Sequence, residues 1–296
     1  MLLFKNYSME WLRVFKSMKS YNTQRLYKNI IENHLIPEIG NKEMCDISIN
    51  DLQEIINKRL SNPATCKHIA LTLKQIFRVA KEEQIIDKTI YTFLQIPFYE
   101  ASEKRSLTED EKMCIRNIKC DNMGKIFVHI LYCCGLRKGE ALALTKNDIV
   151  NNEIIINKSI HFINGKPIIG ETKTHSSTRK VPIPDFLLKE LLSYCKNIDN
   201  KLFYNSDGEY LNDSEYVKMW KNIVKSIDKE IGVETKLTAH IFRHNYATVL
   251  YYSDISLKQA AKLMGHSNVN MILNVYAHLD AKNERVSEKI NQIFQI

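Results

Sequence analysis

The chain has 296 residues, of which 42 are lysine or arginine and 34 are aspartate or glutamate, giving a formal net charge of +8. Its 44% hydrophobic and 26% charged residues, with only 9 glycines and 6 prolines, exclude disordered, fibrous and collagen-like chains. The length is sufficient for two domains. A pI near 8.9 favours an anionic partner, although many enzymes that do not bind nucleic acid share such a value.

The sequence is not suited to secretion or to crossing a membrane. Only four apolar residues precede Lys5, which is too short for the apolar region of a signal peptide. The longest apolar stretch, 126–136, is too short to cross a bilayer and is interrupted by His129. The seven cysteines are scattered and form no C-x-x-C pair, which argues against a disulfide framework or a cysteine zinc site. These features predict a cytoplasmic protein with reduced cysteines.

Residues 1–96 are predicted to form a helical domain. Helices are expected over 8–15, 23–35, 49–60 and 64–84, with a break at Pro37–Gly40. The last of these helices carries an apolar face made of Ile69, Leu73, Ile76 and Ala80. A second face of the helix carries the basic residues Lys67, Lys74, Arg78 and Lys81. This basic face predicts a row of DNA phosphate contacts, although a solvated surface helix carries such charges too.

A second domain is predicted over residues 107–296, after an aperiodic linker at 97–106. It opens on a capping box formed by Thr108 and Glu111, and its helical pattern continues to Leu144. Residues 153–183 predict one small antiparallel sheet around the turn Asn164-Gly165, and 171–184 are expected to form a hairpin within it. Further helices are expected over 186–196, 214–230, 239–251, 256–264 and 269–279. The fold class is therefore mainly α, with a helical N-terminal domain and an α+β C-terminal domain.

A cluster of basic side chains lies beside apolar residues on one predicted helix of the second domain. His240, Arg243 and His244 share one helix face, with the i, i+4 histidine spacing of a zinc protease. The position of the general-base glutamate is occupied by Ile241, which argues against a zinc site. His266 lies 23 residues after Arg243, at a predicted turn, and Tyr276 follows 10 residues later.

Upstream, Arg137 and Glu140 are three residues apart just after an apolar helix. At this spacing a carboxylate can orient a guanidinium for function, although a purely structural ion pair has the same pattern. Lys173 lies near the turn of the expected hairpin, where a lone lysine is usually only solvated.

Taken together, these motifs resemble those of the tyrosine recombinases, or phage integrases. The matching segments, in the order of the family, are Cys134-Gly-Leu-Arg-x-Gly-Glu-x-Leu-x-Leu144, His240-x-x-Arg243-His244, Leu263-Met-Gly-His266 and Val275-Tyr276-Ala-His278. The resemblance covers nearly the whole chain. It implies that residues 1–96 are a core-binding domain that contacts DNA and that residues 107–296 are the catalytic domain.

The resemblance also implies a role for each site residue. Arg137, Arg243 and His266 would hold the scissile phosphate. Tyr276 would attack it to form a 3′-phosphotyrosine, and Lys173 would protonate the departing 5′ oxygen. Guanidinium, ammonium and imidazole groups would then supply the donors that other enzymes obtain from Mg²⁺, so neither a metal nor ATP is expected.

The remaining assignments are less direct. His240 would accept the tyrosine proton or help to bind the phosphate, and Glu140 matches the supporting acid beside the first arginine. Lys166 and Lys180 are alternatives to Lys173, because the family lysine is placed by loop position. His244 and His278 are expected to brace helices, and Tyr276 has the alternative of packing in the core of an amphipathic helix.

The family resemblance implies double-stranded DNA as substrate, a homo-tetramer on paired DNA sites, and possible accessory DNA-bending proteins. Two other functions fit parts of the sequence: a type IB topoisomerase, which shares the chemistry, and a DNA-binding accessory protein without catalysis, which leaves Tyr276 unexplained. The core-binding pattern starts almost at residue 1. The arm-binding domain of many phage integrases is therefore expected to be either naturally absent or trimmed.

Overall fold

The structure is a computed structural model that describes residues 2–98, 105–171, 178–253, 255–265 and 273. The described residues confirm a mainly α fold with small antiparallel sheets. The chain divides into two units, residues 1–102 and 103–296. Among the helices that the structure describes, none has the length and apolar character of a membrane span.

Helices build the described part of the first unit. They are α1 (Phe4–Phe15), α2 (Tyr21–Ile30), α3 (Ile36–Ile39), α4 (Ile49–Asn57) and α5 (Pro63–Glu82). The predicted break at Pro37–Gly40 is wrong, because a wide π-helical turn over Ile31–Leu35 leads directly into α3. Pro37 lies in the first turn of α3, where the missing backbone N–H of a proline is tolerated.

The core of the first unit includes the apolar face of α5. As predicted, this face is fully buried, and its members are Ile69, Leu73, Ile76 and Ala80. The helix begins at Pro63, and the side chain of Asn62 caps it by accepting a hydrogen bond from the Thr65 N–H at 3.1 Å. The burial of this face fixes which side of α5 is turned away from the core.

The other helices that the structure describes lie in the second unit. They are α6 (Glu109–Arg116), α7 (Asn122–Cys134), α8 (Lys138–Leu142), α9 (Asp185–Cys195), α10 (Asp213–Ile231), α11 (Ala239–Tyr252) and α12 (Leu257–Met264). The predicted capping box of α6 is confirmed, since the Thr108 N–H donates to Glu111 at 2.8 Å and the Glu111 N–H donates to Thr108 at 3.2 Å. Most of the predicted linker, and the predicted helix over 269–279 apart from Leu273, lie outside the described residues.

Within the described residues, the strands form two small sheets, whereas a single sheet was expected. They are β1 (Ile149–Val150), β2 (Glu153–Ile156), β3 (Lys158–Ile163), β4 (Lys166–Glu171) and β5 (Arg179–Pro182). One sheet has the order β1-β2-β5 and the other pairs β3 with β4, all antiparallel. The turn between β3 and β4 is the predicted one, with positive φ angles of 49° at Asn164 and 78° at Gly165.

The described strands do not form the hairpin predicted over 171–184, and residues 172–177 lie outside the described part of the chain. The two strands that flank its expected turn belong to different sheets, because β4 pairs with β3 while β5 pairs with β2. Val181 of β5 lies opposite Ile154 of β2, and both side chains are fully buried. Burial of these two side chains in the core therefore favours β2 as the neighbour of β5.

Candidate active site

The first part of the site lies where α7 turns into α8. Helix α7 ends at Gly135 with a left-handed φ of 60°, and a Cβ atom at this position would lie 2.3 Å from Cδ1 of Tyr246. Only glycine fits such a turn. Two residues later, Arg137 occupies the N-cap position of α8. The turn therefore brings Arg137 into the site at the start of a helix.

Glu140 holds Arg137 from the first turn of α8. Its carboxylate accepts a hydrogen bond from the Arg137 backbone N–H at 2.8 Å and another from Arg137 Nη1 at 2.7 Å. Burial alone would favour the neutral acid, but hydrogen bonds and charges from Arg179 and Arg137 lower the pKa of Glu140 to about 2. Glu140 is therefore a carboxylate at neutral pH, and it orients the guanidinium as the spacing indicated.

A second arginine, Arg179 of β5, also binds Glu140. Its Nη1 and Nη2 donate to the two carboxylate oxygens at 3.1 and 2.8 Å, and the residue is 4% exposed. The sequence motifs did not identify Arg179. A signal was present, because strand alternation places this arginine on the same side of β5 as the buried Val181.

Arg243 enters the same region from α11. It is buried, its Nη1 donates to the carbonyl oxygen of Gly135 at 2.8 Å, and its Nη2 donates to that of Met264. Burial, followed by the charges of Arg137 and Arg179, lowers the pKa of Arg243 to about 9, while Glu140 acts in the opposite sense. Arg243 is still a cation at neutral pH, close to the positive charges of Arg137 and Arg179.

The end of α12 is where the three arginines meet. The carbonyl oxygens of three consecutive residues accept hydrogen bonds: Leu263 from Arg179 Nε at 2.7 Å, Met264 from Arg243, and Gly265 from Arg137 Nη2 at 3.1 Å. The last carbonyls of a helix have no partner within the helix and carry its negative partial charge. Guanidinium groups from three separate elements thus fix the end of α12, directly before His266 in the sequence.

The two histidines of α11 occupy different surroundings. His240 is exposed in the first turn of the helix, one turn before Arg243. His244 is half-buried, and its Nδ1 lies 3.3 Å from the hydroxyl oxygen of Ser106, which in turn lies 2.8 Å from that of Thr248. This contact with the segment before α6 agrees with the bracing role expected for His244, whereas His240 lies on the exposed side of the first turn of α11.

Lys173, His266, Tyr276 and His278 lie outside the described residues. The two alternative lysines are described. Lys166 is exposed at the start of β4, next to the turn at Gly165. Lys180 is exposed, with Nζ 3.8 Å from Glu153, and strand alternation directs it away from the face of β5 on which Arg179 binds Glu140.

The predicted basic face of α5 belongs to the first unit. Lys67 and Arg78 are exposed and Lys74 is half-buried, with the partly exposed Leu71 between them. The ammonium group of Lys81 donates to the backbone carbonyl of Asp87. Lys67, Lys74 and Arg78 are therefore more available to an external anion than Lys81 is.

Comparison with known proteins adds to this geometry. The profile of the phage integrase family matches residues 105–283, and that of the phage integrase N-terminal SAM-like domain matches residues 3–60. A tyrosine recombinase XerC-like protein of Caldanaerobacter subterraneus is 28% identical, over 89% of this chain and 77% of the relative. The ICEBs1 integrase of Bacillus subtilis is 26% identical, over 90% of this chain and 76% of the relative.

Solved structures share the fold. The Tn1549 transposon integrase, in complex with transposon right end DNA, has a TM-score of 0.80 and 24% identity, covering 97% of this chain and 100% of the other. A lambda integrase tetramer bound to a Holliday junction has a TM-score of 0.69 and 21% identity, covering 90% of this chain and 78% of the other. At these identities the likeness is one of fold.

Proposed function

Because the chain belongs to the phage integrase family, we propose that it is a site-specific DNA recombinase that cleaves and rejoins strands through a 3′-phosphotyrosine. The observation that carries the proposal is the convergence of Arg137 and Arg243 on one corner of the second unit. These arginines come from separate sequence motifs, and they bind the carbonyls of adjacent residues, Gly265 and Met264. Two motifs that predict phosphate binding thus meet immediately before His266.

The charge balance of this corner favours an anion. Within the described residues, Arg137, Arg179 and Arg243 surround Glu140, whose single negative charge offsets one of the three positive charges. Burial is the largest cause of the lowered pKa of Arg243, and the positive charges of Arg137 and Arg179 lower it further. A phosphate beside Arg137 and Arg243 relieves that repulsion, and the relief grows as more negative charge develops on the phosphate oxygens during transfer.

In the proposed reaction, the phenolic oxygen of Tyr276 attacks the scissile phosphorus and the bond from phosphorus to the 5′ oxygen breaks. The phenolic proton passes to His240 or to solvent, and Lys173 gives a proton to the departing 5′ oxygen. A 5′ hydroxyl from another strand then reverses these steps. The 3′-phosphotyrosine is itself a phosphodiester, so strands can be rejoined without hydrolysis of a nucleotide such as ATP.

Lys173 is the proposed general acid in preference to the two other lysines. Lys180 is directed away from the face of β5 that carries Arg179, and Lys166 adjoins the β3–β4 turn. Lys173 falls between the end of β4 and the start of β5, in the segment that precedes Arg179 in the sequence. That segment leads directly into the arginine corner, which supports Lys173 as its donor.

The proposed substrate is double-stranded DNA, and the proposed working assembly is a homo-tetramer on paired sites, with accessory DNA-bending proteins as possible partners. Support comes from the fold neighbours, since one is an integrase bound to transposon DNA and another is a tetramer on a Holliday junction. The basic face of α5 is the proposed phosphate contact of the first unit. Its exposed cations suit binding to a DNA backbone.

The decisive experiment is covalent trapping. The protein is incubated with a nicked suicide DNA from the ends of its native element, and the product is analysed on a denaturing gel. A protease-sensitive band that contains both protein and DNA supports the proposal. A type IB topoisomerase relaxes supercoiled DNA without paired sites, and a non-catalytic accessory protein gives no covalent band, so the same preparation separates the three functions.

Cleavage of suicide DNA is expected to proceed at an undiminished rate in EDTA and without nucleotide. The proposed site stabilises the transferring phosphate with guanidinium and imidazole groups, and the sequence has no G-x-x-x-x-G-K-[ST] loop. The measurement is single-turnover formation of the covalent complex with and without EDTA. A requirement for added Mg²⁺ or ATP would contradict the mechanism.

Removing the cations of α5 is expected to weaken DNA binding in a salt-dependent way. A Lys67→Ala, Arg78→Ala double variant loses about two phosphate contacts, so the slope of log affinity against log salt falls by about 2 in magnitude. The measurement is a gel-shift titration at several salt concentrations. Lys42→Ala is the control, because Lys42 lies in the same unit outside the basic face and its ammonium group donates to Asp51 at 2.6 Å. An unchanged slope in the double variant would argue against this surface.

A further inference from the structure

Arg179 is a buried cation that the recombinase motifs leave without a role. Its side chain is 1% exposed, in contrast to 37% for that of Arg137. Its Nη atoms donate to both oxygens of Glu140, and its Nε donates to the carbonyl of Leu263 at 2.7 Å. The residue therefore joins β5, α8 and the end of α12 from below the surface.

The contacts form a chain from the interior to the surface. Each carboxylate oxygen of Glu140 accepts one hydrogen bond from Arg179 and one from Arg137. Arg179 thus fixes the carboxylate from the inner side, and the carboxylate fixes the more exposed Arg137 on the outer side. Because Arg179 is almost entirely covered, its effect on a DNA phosphate must pass through these neighbours.

Arg179 also shapes the segment that leads to His266. A Cβ atom at Gly265 would lie 2.7 Å from Arg179 Nη1 and 3.1 Å from its Cζ, so the guanidinium fills the space that a side chain at 265 would need. Together with the bond to Leu263, this packing holds the last turn of α12 against β5. One residue therefore supports both Arg137 and the end of α12.

We propose that Arg179 is a positioning residue of the recombination site, which fixes Arg137 through Glu140 and fixes the residues before His266 through the Leu263 carbonyl. This inference rests on the proposed function. Cleavage needs both phosphate-holding groups within a fraction of an ångström of their productive positions, and supporting residues that orient such groups typically contribute 10- to 100-fold to activity.

The test compares Arg179→Met with the wild type on suicide DNA. We expect the single-turnover cleavage rate per folded molecule to fall about 10- to 100-fold, while the Kd for DNA changes by less than about threefold, because Arg179 does not reach the DNA. The folded fraction is measured by circular dichroism. Arg179→Lys keeps the charge but loses the bidentate contact with Glu140, and an intermediate rate is expected.

A matched control exists in the same unit. Arg105 donates to both oxygens of the buried Glu111 at 2.7 Å and to the Thr235 carbonyl at 2.7 Å, so it pairs with a buried glutamate and a backbone carbonyl as Arg179 does, with a side chain that is 41% exposed. Arg105→Met removes an ion pair to a buried glutamate that belongs to none of the recombinase motifs. It is expected to lower stability while leaving the cleavage rate per folded molecule unchanged.

The pH dependence separates positioning from a general loss of structure. In the wild type, hydrogen bonds and charges from Arg179 and Arg137 keep Glu140 ionised and lower its pKa to about 2, and the charge of Glu140 in turn raises the pKa of the nearby Arg243. Without Arg179 that pKa rises, so the ratio of variant to wild-type rates is expected to fall as the pH drops from 8 to 5. Glu140→Gln cannot titrate, and combining it with Arg179→Met should remove this extra pH dependence.

The outcomes are distinct. If the wild type forms no covalent complex, the proposed function is overturned and this inference with it. If the wild type and Arg105→Met cleave and Arg179→Met cleaves equally well at every pH, only the role of Arg179 is overturned. Should Arg179→Met not fold, Arg179→Lys decides the matter, because a wild-type rate at pH 5 and pH 8 would exclude a positioning role.

Discussion

Tyr276→Phe is expected to bind DNA with the affinity of the wild type and to form no covalent complex. The substitution removes the phenolic oxygen, which is the proposed nucleophile, and keeps the aromatic ring and its packing. No other group in the proposed mechanism can form the ester bond to the 3′ phosphate. The measurement is a gel shift for binding, followed by a denaturing gel for the adduct on suicide DNA.

Tyr252→Phe is a suitable control for this experiment. Tyr252 lies at the end of α11 in the same unit and is 61% exposed, so loss of its hydroxyl should leave adduct formation unchanged. A Tyr276→Phe protein that still gave protease-sensitive, DNA-linked product would assign the nucleophile to another residue. Loss of both binding and adduct would instead indicate that Tyr276 packs in the core.

Arg137→Ala and Arg243→Ala are each expected to slow cleavage by roughly 100-fold or more while DNA binding persists. Removal of one preorganised donor from a transition state typically costs this much, and each arginine comes from its own motif.

The two variants should differ in stability. Arg243 is buried and donates to Gly135 and Met264, so its loss leaves buried carbonyls unsatisfied at about 1 to 3 kcal/mol each.

The rates of these variants must therefore be divided by the folded fraction, measured by thermal unfolding. Arg116→Ala is the control, because Arg116 is exposed at the end of α6 and belongs to none of the motifs. A cleavage rate near that of the wild type in either active-site variant, after this correction, would remove that arginine from the proposed site.

Local signals in the sequence predicted much of the fold. The apolar face of α5, the capping box at Thr108 and the Asn164-Gly165 turn each depend on residues that are adjacent or three to four positions apart, and all three are observed. The contact between Arg137 and Glu140 is likewise local, at i, i+3. Short-range spacing predicts such features because neighbouring side chains meet wherever the backbone is regular.

The features that the sequence did not predict depend mainly on contacts between residues that are far apart in the chain. Residues 171–184 look like a strand, a turn and a strand, but the partner of β5 is decided by burial of Val181 against Ile154, which is distant in the chain. Arg179 was overlooked for the same reason, since its partners are Glu140 and Leu263. The break expected at Pro37 was wrong because a π-helical turn accommodates the proline.

The capping of α12 by three arginines bears on when the protein becomes active during synthesis. The contacts join Arg137 to Gly265 across 128 residues, Arg179 to Leu263 across 84, and Arg243 to Met264 across 21. A nascent chain therefore contains Arg137, Arg179 and Arg243 before the end of α12 has been synthesised. The arginine corner is complete only when residue 265 has been made and docked, so a polypeptide that ends before α12 cannot assemble it.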